Sequence, residues 1–507
     1  MTAALTIRDL LARGEGDAVA IAAPSAVPLT YQGLREQVDE TVSALNAVGI
    51  GCGDRVAIVL PNGPEMAAAF LGVAAGATSA PLNPQYRAEE LEFYLTDLAA
   101  KALVVEAGAP SAASDVAARL EIPMIALETT PEKGAGRFRL DTGAVPGRVP
   151  ASGGPAAPSD VALVLHTSGT TSRPKIVPLT HANVCASALN VSRTLALTEV
   201  DRGLVVMPLF HIHGLIAGVL APLLAGGSVF CAPSFNTLRF FGWVSEARPT
   251  WYTAVPTMHQ AILARAGHNP EVIAANPLRF IRSSSSSLPP QVLAELEATF
   301  ATRVIESYGM TEAAHQMTSN LLAPGERKPG TVGVASGPEV AIMDEGGQIL
   351  PQGRTGEIVI RGDNVTMGYE NNPKANAEAF AHGWFRTGDQ GMMDADGFLT
   401  ITGRLKEIIN RGGEKISPKE VDEVLMDHPA VLQVVTFAIP HDKLGEEVGA
   451  AVVLREGQGV AERELRDYVA TRLADFKVPR KIIFLEEIPK GPTGKLQRIG
   501  LAQKLGL

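Results

Sequence analysis

The sequence predicts an α/β protein with more than one domain. The apolar runs VAIVL (56–60) and ALVVE (102–106) are rich in Val, Leu and Ile and lack strict alternation, which is typical of parallel strands covered by helices on both faces. From about residue 330 the runs become short, alternating and punctuated by Gly, which indicates antiparallel strands. A chain of 507 residues is also too long for one hydrophobic core.

The first part of the chain divides into two α/β stretches. The N-terminal residues 1–17 have the pattern of a capped amphipathic helix, and strands alternate with helices from about residue 40. Residues 129–160 are dense in Pro, Gly and Ser, so we interpret them as a connector. The second stretch contains the candidate strands GLVVMP, SVFCAP, WYTAVP and RFIRSS. In such sheets ligands bind beyond the carboxyl ends of the strands.

The C-terminal part differs in texture. The runs EVAIMD, GEIVIRG and GFLTITGR predict a small β subdomain, followed by the helices VDEVLMDH and ERELRDYVATRL and the strands VVTFAI and AAVVLR. We therefore predict a large N-terminal domain of residues 1–403, with two α/β subdomains and a small β subdomain. A smaller α+β domain would comprise residues 404–507.

Composition excludes several classes of function. Balancing 44 Lys and Arg against 54 Asp and Glu gives a net charge of −10 with no basic block, so we expect no nucleic-acid partner. No stretch approaches the roughly 18 apolar residues of a membrane span, and no signal peptide is evident. The three cysteines lack metal-ligand spacing and indicate a reducing compartment. We expect a cytoplasmic protein without membrane association.

A loop rich in hydroxyl groups follows the run ALVLH. The segment HTSGTTSRPKIVPLTH combines a glycine that permits a tight turn with hydroxyl donors and one cation, which suits phosphate oxygens. Its candidate residues are Thr167, Ser168, Gly169, Thr170, Thr171 and Lys175. The P-loop pattern GxxxxGK[ST] is absent, and a polar surface loop is the alternative interpretation.

Two further segments carry side chains suited to a nucleotide. In ESYGMTEAAH, Tyr308 can lie against a purine, Thr311 can contact a phosphate and Glu312 can hold Mg²⁺ together with phosphate oxygens. In FRTGDQGMMDADGF, Asp389 stands in a Gly-rich turn where a carboxylate can accept hydrogen bonds from sugar hydroxyls. Ordinary turns are the alternative for both segments.

Five motifs together resemble the adenylate-forming superfamily, which includes the acyl-CoA synthetases. SGTTSRPK, YGMTE, RTGD, GRLKEIINRGGEKISP and PKGPTGKLQR occur here in that superfamily's order and spacing, across essentially the whole chain. The segments FHIHGL, TWYTAVPTMHQAIL, LRFIRSSSSSL and TEAAHQM are most similar to its oxalate–CoA ligase group. The resemblance implies ATP, Mg²⁺ and coenzyme A, an acyl-adenylate intermediate and a mobile C-terminal domain.

The resemblance assigns roles around the nucleotide. It implies that the loop from Thr167 to Lys175 surrounds the β- and γ-phosphates, and that Thr311 and Glu312 serve the α-phosphate and the metal. The remaining nucleotide-binding residues would be Ser286, Tyr308 and Gly309 near adenine, and Asp389 and Arg404 at the ribose.

The resemblance also assigns roles in the C-terminal domain. Lys495 would bridge the substrate carboxylate and the α-phosphate, and Lys406 would be the hinge between two domain orientations. In the second orientation Gly412 and Gly413 would approach the pantetheine of coenzyme A. Lys415 is a candidate for contact with the adenylate.

Four polar residues would face the acid: His211, His213, Ser285 and His315. Oxalate keeps a second ionised carboxylate, which imidazole and hydroxyl donors can satisfy, the more so if a histidine is protonated. His211 is alternatively a gate. Malonate or another short acid is the competing substrate, and an inactive nucleotide-binding scaffold is the alternative of another class. The protein would act as a monomer or a small homo-oligomer on small molecules.

Residue 176 departs from the family pattern. Ile176 directly follows Lys175 where relatives usually have Gly, and a β-branched residue does not readily adopt φ > 0. We therefore predict that the following strand begins one residue earlier here.

Overall fold

The computed structural model describes residues 5–147, 149–167, 174–490 and 495–507. Within these ranges no helix combines the length and apolar character that crossing a bilayer requires. The predicted capped N-terminal helix is present, because the Thr6 hydroxyl accepts from the Asp9 N–H while the Asp9 carboxylate accepts from the Thr6 N–H.

The strands and helices of the described residues follow in chain order. The strands are β1 (Val19–Ala22), β2 (Leu29–Thr30), β3 (Arg55–Val59), β4 (Thr78–Pro81), β5 (Ala102–Glu106), β6 (Met124–Thr129), β7 (Phe138–Asp141), β8 (Val161–Thr167), β9 (Lys175–Thr180), β10 (Arg202–Val205), β11 (Ser228–Cys231), β12 (Trp251–Ala254), β13 (Phe280–Ser283), β14 (Arg303–Met310), β15 (His315–Ser319), β16 (Val334–Ala335), β17 (Glu339–Met343), β18 (Thr355–Arg361), β19 (Phe380–Ala381), β20 (Trp384–Met393), β21 (Leu399–Arg404), β22 (Ile409–Arg411), β23 (Glu414–Ile416), β24 (Val431–His441), β25 (Gly445–Leu454) and β26 (Lys481–Phe484). The α-helices are α1 (Ile7–Leu11), α2 (Tyr31–Ala47), α3 (Pro64–Ala74), α4 (Ala88–Asp97), α5 (Ala112–Arg119), α6 (His181–Thr194), α7 (Ala221–Leu224), α8 (Thr237–Ala247), α9 (Pro256–Ala266), α10 (Pro270–Ala275), α11 (Pro290–Phe300), α12 (Pro373–Ala379), α13 (Pro418–Met426), α14 (Glu462–Ala470) and α15 (Leu501–Lys504). A π-helix spans Gly214–Leu220, directly before α7.

A seven-stranded sheet of order β7-β6-β5-β3-β4-β8-β9 forms the first layer. Its five inner strands run parallel, and the edge strands β7 and β9 run antiparallel to their neighbours. The interpretation of residues 129–160 as a connector was wrong in part. Phe138–Asp141 pairs with β6 because FRLD has the composition of a strand within an otherwise Pro- and Gly-rich segment.

A nine-stranded sheet of order β16-β15-β14-β13-β12-β10-β11-β1-β2 forms the second layer. The strands from β14 to β1 in this order are parallel, as the runs GLVVMP, SVFCAP, WYTAVP and RFIRSS predicted. The two sheets do not follow the chain in succession. The N-terminal β1 pairs with β11 in the second sheet, whereas β8, which comes after the expected connector, pairs with β4 in the first.

Helices α3 and α6 lie between the two sheets and share their hydrophobic core. Helix α3 contacts β3, β4 and β8 of the first sheet and β11 of the second, and α6 contacts β8, β9 and β15. Phe70 of α3 and Val184 of α6 are fully buried in a core that includes residues of both sheets. This packing places the carboxyl ends of the parallel strands in a fixed relation to the rest of the chain.

The third and fourth sheets confirm the predicted change of texture. Strands β17 to β21 form a five-stranded antiparallel sheet, and β22 to β26 form a five-stranded sheet in which β26 alone runs parallel to its neighbour. Strand β21 ends at Arg404. The α/β fold class with a smaller C-terminal part is confirmed. The division into residues 1–403 and 404–507 stays a prediction.

Ile176 lies within β9, which begins at Lys175 as predicted. Its side chain is buried among apolar residues of the first sheet and its helices, and its backbone pairs with His166 of β8. Its carbonyl accepts from the N–H of Glu370, which lies in the loop after β18. The residue therefore fixes the strand that follows the hydroxyl-rich loop.

We expect Ile176→Ala to destabilise the protein by about 2 to 4 kcal/mol, because it removes buried methyl groups and leaves a cavity. Thermal unfolding monitored by circular dichroism measures the effect as a lower Tm. The matched control is Ile349→Ala, since Ile349 is 49% exposed. Equal Tm values for the two variants would contradict the structural role of Ile176.

Candidate active site

The candidate residues meet beyond the carboxyl ends of parallel strands in the nine-stranded sheet. His211 and His213 follow β10, and Ser285 follows β13. Residues 311–313 form a 3₁₀ turn between β14 and β15, which brings His315 back toward β14. Open α/β sheets bind ligands at this edge, as the sequence predicted.

His213 is fully buried and joins the ends of two strands. Its Nδ1 lies 3.1 Å from Ser285 Oγ, and its Nε2 lies 2.6 Å from Thr253 Oγ1 at the end of β12. The next residue is Gly214, where a Cβ would lie 2.3 Å from the carbonyl oxygen of Pro208. This close approach, followed by the π-helix, turns the His213 side chain toward the sheet edge.

His315 stacks on His213. The two ring centroids are 4.8 Å apart at an interplanar angle of 18°. His315 is almost fully buried, and its Nε2 has no hydrogen-bond partner among the residues that the structure describes. The structure thus brings together the three predicted acid-facing residues His213, Ser285 and His315.

The backbone at His315 is strained and held from several sides. His315 has φ +105° and the residue before it has φ +45°, values that side chains with a Cβ rarely adopt. A Cβ on Gly309 would lie 1.7 Å from the His315 carbonyl oxygen, so only glycine fits opposite it. The Asn364 amide donates to the carbonyls of Ala313 and Gln316, which fixes both ends of the turn.

The three histidines carry no charge at physiological pH. Burial lowers the pKa of His211 to about 3, and it holds the pKa of His213 and of His315 well below 6.5. Nearby positive groups, including Lys495, add to this effect. Each neutral imidazole keeps one N–H that can donate a hydrogen bond. The expectation that a protonated histidine supplies positive charge to this pocket is not met.

Arg282 is a site residue that the sequence analysis missed. It lies on β13 with no exposed surface, and its Nη1 is 3.3 Å from His213 Nε2. Its Nη2 donates to Gln316 Oε1 at 3.2 Å, and its Nε has no partner within the described part of the chain. Burial lowers the pKa of the guanidinium to about 9. The available signal was a charged residue at the third position of the buried strand FIRS (280–283), within the run RFIRSS.

Asp389 is the centre of a second cluster. The Tyr308 hydroxyl donates to Asp389 Oδ2 at 2.5 Å, and Arg404 Nε donates to Asp389 Oδ1 at 2.8 Å. Asp389 and Arg404 are cross-strand partners on β20 and β21. Asp389 raises the pKa of Arg404, while burial and Asp389 hold the pKa of Tyr308 well above 10. A neutral phenol therefore supports an ion pair.

Glu312 and Lys175 are connected through Tyr369, which the sequence analysis also missed. The Tyr369 hydroxyl donates to Glu312 Oε1 at 2.8 Å, and Lys175 Nζ lies 4.2 Å from the centroid of the Tyr369 ring. Burial raises the pKa of Glu312, and the Tyr369 hydrogen bond opposes that shift. A tyrosine in the loop TMGYENN has no local pattern that distinguishes it.

Glu312 fits a metal that is shared with phosphate oxygens. The described residues contain no group of three or more His, Cys, Asp or Glu side chains arranged to hold a metal alone. Mg²⁺ is commonly bound by one or two carboxylates together with nucleotide phosphates. A single buried carboxylate near Lys175 and Thr311 is consistent with that arrangement.

Lys495 joins these clusters from the C-terminal part of the chain. Burial, and secondly the charge of Arg404, lower the pKa of the half-buried ammonium to about 8, while Asp389 and Glu312 oppose the shift. Its charge also contributes to the low pKa of His211, His213 and His315. Lys495 therefore lies within electrostatic reach of both the acid-facing and the nucleotide-facing residues.

The other predicted residues lie less close to this centre or outside the described residues. Ser168, Gly169, Thr170 and Thr171 fall outside them, whereas Thr167 and Lys175 pair at the base of that loop. Ser286 is exposed. Gly412, Gly413 and Lys415 are exposed on the hairpin of β22 and β23. Lys406 is exposed on the 3₁₀ turn that precedes this hairpin.

Comparison with known proteins gives a concordant result. The family model AMP-binding enzyme matches residues 10–370, and that of the AMP-binding enzyme C-terminal domain matches residues 420–495. An oxalate–CoA ligase of Arabidopsis thaliana is 46% identical over 482 residues, which cover 94% of this chain and 93% of that protein. An oxalate–CoA ligase of Saccharomyces cerevisiae is 44% identical over 476 residues, covering 89% and 86%. The ATP-bound crystal structure of MatB from Rhodopseudomonas palustris has a TM-score of 0.88 and 30% identity, covering 99% of each chain.

The lowered pKa of Lys495 predicts a specific pH dependence of its chemical modification. The protonated amine is unreactive, so acetylation by a small amine reagent should rise with pH and reach half of its plateau rate at about pH 8. Peptide mass spectrometry measures the rate at this residue, and Lys495→Arg provides the blank. A rate still rising tenfold per unit between pH 9 and pH 10 would contradict the prediction.

Proposed function

The chain belongs to the AMP-binding enzyme family, and we propose that it is an ATP-dependent oxalate–CoA ligase. It is an AMP-forming acid–CoA ligase that uses ATP and coenzyme A. The reaction converts oxalate, ATP and coenzyme A into oxalyl-CoA, AMP and pyrophosphate through an oxalyl-adenylate. The observation that carries the choice of acid is the cluster of the buried His213 and His315 with the half-buried Ser285, within electrostatic reach of Lys495.

In the first half-reaction a carboxylate oxygen of oxalate attacks the α-phosphorus of ATP, and the bond to the departing pyrophosphate breaks. Negative charge develops on the phosphoryl oxygens while two anions approach each other. Lys495 suits this step because its ammonium is within electrostatic reach of the acid pocket and of Glu312 and Asp389. It stabilises the transition state as a compact point charge.

The nucleotide phosphates would lie between Lys175, Thr311 and Glu312. We propose that the loop from Thr167 to Lys175 surrounds the β- and γ-phosphates, with Tyr369 orienting both Glu312 and Lys175. Glu312 would hold Mg²⁺, which when bound neutralises charge on the phosphates. The strand position of Ile176 supports this placement because Lys175 then begins β9 at the base of the loop.

The nucleoside would bind to the Asp389 cluster. We propose that Asp389 and Arg404 contact the ribose hydroxyls, and that Tyr308, Gly309 and Ser286 lie near adenine. Tyr308 and Arg404 each donate to one oxygen of Asp389, so the carboxylate would accept from a sugar hydroxyl in a defined direction.

In the second half-reaction the coenzyme A thiolate attacks the acyl carbon, and the bond to AMP breaks. We propose that residues 404–507 rotate about Lys406, so that Gly412 and Gly413 approach the pantetheine and Lys495 withdraws. The exposed position of the β22–β23 hairpin is consistent with such a movement. Lys415 on that hairpin would contact the adenylate in the first orientation.

The acid pocket favours a small dianion. The imidazoles of His213 and His315 are neutral, and the Ser285 hydroxyl, 3.1 Å from His213 Nδ1, adds a donor for the acid. His211 lies at the same edge, where it would contact the acid or act as a gate. Malonate or another short acid is less supported, because the named relatives above at 46% and 44% identity are oxalate–CoA ligases.

The partners that this proposal requires are small molecules. We propose a cytoplasmic enzyme that acts as a monomer or a small homo-oligomer without nucleic acid. Cys52, Cys185 and Cys231 are all free thiols, which is consistent with a reducing compartment. An inactive scaffold is disfavoured because Lys495, Glu312, Asp389 and Arg404 are all present and clustered.

We expect the purified protein to release pyrophosphate from ATP when oxalate is added, and to form oxalyl-CoA when coenzyme A is also present. A coupled pyrophosphate assay with oxalate, malonate, acetate, coumarate and octanoate measures the preference. The physical reason is that only a short dianion satisfies the polar pocket without leaving donors unpaired. Faster turnover of any of the other acids at equal concentration would refute the choice of oxalate.

We expect Lys495→Ala to lower the rate of adenylation by about 100-fold or more, because it removes one charge that stabilises the transition state. Thioester formation from supplied oxalyl-AMP should remain near the wild-type rate. Quenched-flow measurement of each half-reaction separates the two steps. The control is Lys490→Ala, which breaks the surface ion pair with Glu487 and should leave both rates unchanged. Equal loss of both half-reactions in Lys495→Ala would contradict its role.

A further inference from the structure

Arg282 has no role in the proposal above, although it is the most deeply buried cation beside the acid pocket. We propose that Arg282 is a positioning residue for the second carboxylate of a dianionic substrate, which it holds through His213 and by supplying buried positive charge. The inference rests on the proposed function, because it concerns how the same pocket distinguishes a dianion from a monoanion.

The first observation is that Arg282 is buried without an acidic partner among the described residues. Arg282 has no exposed surface, and within the described ranges of the chain no carboxylate forms an ion pair with it. Burying a guanidinium without an anion is unfavourable, and an anion that enters its surroundings relieves that penalty. Because His213 and His315 beside it are neutral, the Arg282 guanidinium supplies the positive charge on the side of the pocket next to β13.

Arg279, which directly precedes β13 and lies three positions before Arg282, provides the contrast. Its Nε and Nη2 donate to the two carboxylate oxygens of Asp201 at 3.0 and 2.9 Å. It is therefore a fully paired arginine that tethers the amino end of the strand. Two arginines three positions apart thus have opposite electrostatic situations.

The second observation is the hydrogen bond to His213. A guanidinium nitrogen can only donate, so Arg282 Nη1 favours the tautomer of His213 in which Nε2 accepts, and the Thr253 hydroxyl then donates to the same nitrogen at 2.6 Å. The proton of the neutral imidazole then resides on Nδ1, which lies 3.1 Å from Ser285 Oγ. Ser285 can accept that N–H and direct its own O–H at a substrate oxygen. Arg282 therefore sets the donor direction of the pair that faces the acid.

The third observation is that hydrogen bonds to neighbouring side chains fix the orientation of the Arg282 guanidinium. The Gln316 amide nitrogen donates to Thr194 Oγ1 and to the Ser336 carbonyl, each at 3.1 Å. Its Oε1 must therefore point at Arg282 Nη2, from which it accepts a hydrogen bond at 3.2 Å. With Thr253 Oγ1 also 3.4 Å from Nη1, the plane of the guanidinium is fixed.

Among the described residues, two buried nitrogens of this cluster have no hydrogen-bond partner: Arg282 Nε and His315 Nε2, both essentially without exposed surface. Buried polar groups in folded proteins are nearly always hydrogen-bonded, so both nitrogens are suited to pair with a ligand. A carboxylate near the stacked imidazoles offers acceptor oxygens and the negative charge that Arg282 lacks.

The test uses the full-length enzyme and three substitutions that separate charge from hydrogen bonding. Arg282→Met removes both, Arg282→Gln keeps a neutral donor, and Arg282→Lys keeps the charge. Oxalate is compared with oxamate, whose distal group is an uncharged amide, in the pyrophosphate assay. Arg279→Met is the matched control, because it removes an arginine near the same strand that already has an acidic partner.

We expect Arg282→Met to raise the KM for oxalate by about 30-fold or more, with a smaller change in kcat, as for loss of one member of a buried charge pair. The KM for oxamate and that for ATP should change little, so the preference for oxalate over oxamate collapses. Arg282→Gln should lose the same preference, and Arg282→Lys should keep most of it.

Thermal unfolding distinguishes this role from a structural one. Removing an unpaired buried charge should leave the Tm of Arg282→Met at or above that of the wild type, whereas Arg279→Met should lower it. Arg282→Gln and Arg282→Lys isolate the charge even if the methionine variant does not fold. Equal loss of oxalate and oxamate use, or retention of the oxalate preference in the glutamine variant, would overturn the inference. Absence of oxalate-dependent activity in the wild type would instead refute the proposed function.

Discussion

Exclusion of water from the carboxyl edge of the nine-stranded sheet determines the charge state of the groups that meet there. Burial holds His211, His213 and His315 neutral and lowers the pKa of Lys495 to about 8. In a medium of low polarity each remaining charge acts strongly, and each unpaired one is unfavourable. The pocket therefore combines many neutral donors with few charges, whose positions are set by surrounding hydrogen bonds.

The nucleotide side follows a different principle. Asp389 and Arg404 form an ion pair across β20 and β21, and Glu312 is connected to Lys175 through Tyr369. Asp389 and Arg404 compensate each other directly, whereas Glu312 accepts a hydrogen bond from the neutral Tyr369 hydroxyl, whose ring also contacts Lys175. Lys495 lies within electrostatic reach of both this predicted nucleotide side and the predicted acid-facing residues.

Local sequence patterns were sufficient for much of the fold. The apolar runs gave the parallel strands, and the rule that ligands bind beyond carboxyl ends located the edge where His213, Ser285 and His315 converge. Sheet membership was not predictable in this way. The early strand β1 belongs to the second sheet, and the later strand β8 belongs to the first. Strand pairing depends on contacts between segments far apart in the chain, and local periodicity does not encode those contacts. The positions of Arg282 and Tyr369 in the site were not predicted for the same reason, since their partners come from distant strands and loops.

The hairpin of β14 and β15 links the two sides by covalent structure. Tyr308, Thr311, Glu312 and His315 fall within eight consecutive residues, in a turn where Gly309 contacts the His315 carbonyl and Asn364 clamps the backbone. A substitution that shifts this backbone to enlarge the acid pocket would also displace groups that face the nucleotide. His213, just before the π-helix, and Ser285, just after β13, belong to the predicted acid-facing group but stand on segments that do not carry Glu312. The hairpin therefore couples the two predicted sites mechanically, whereas these neighbouring segments can change without moving Glu312.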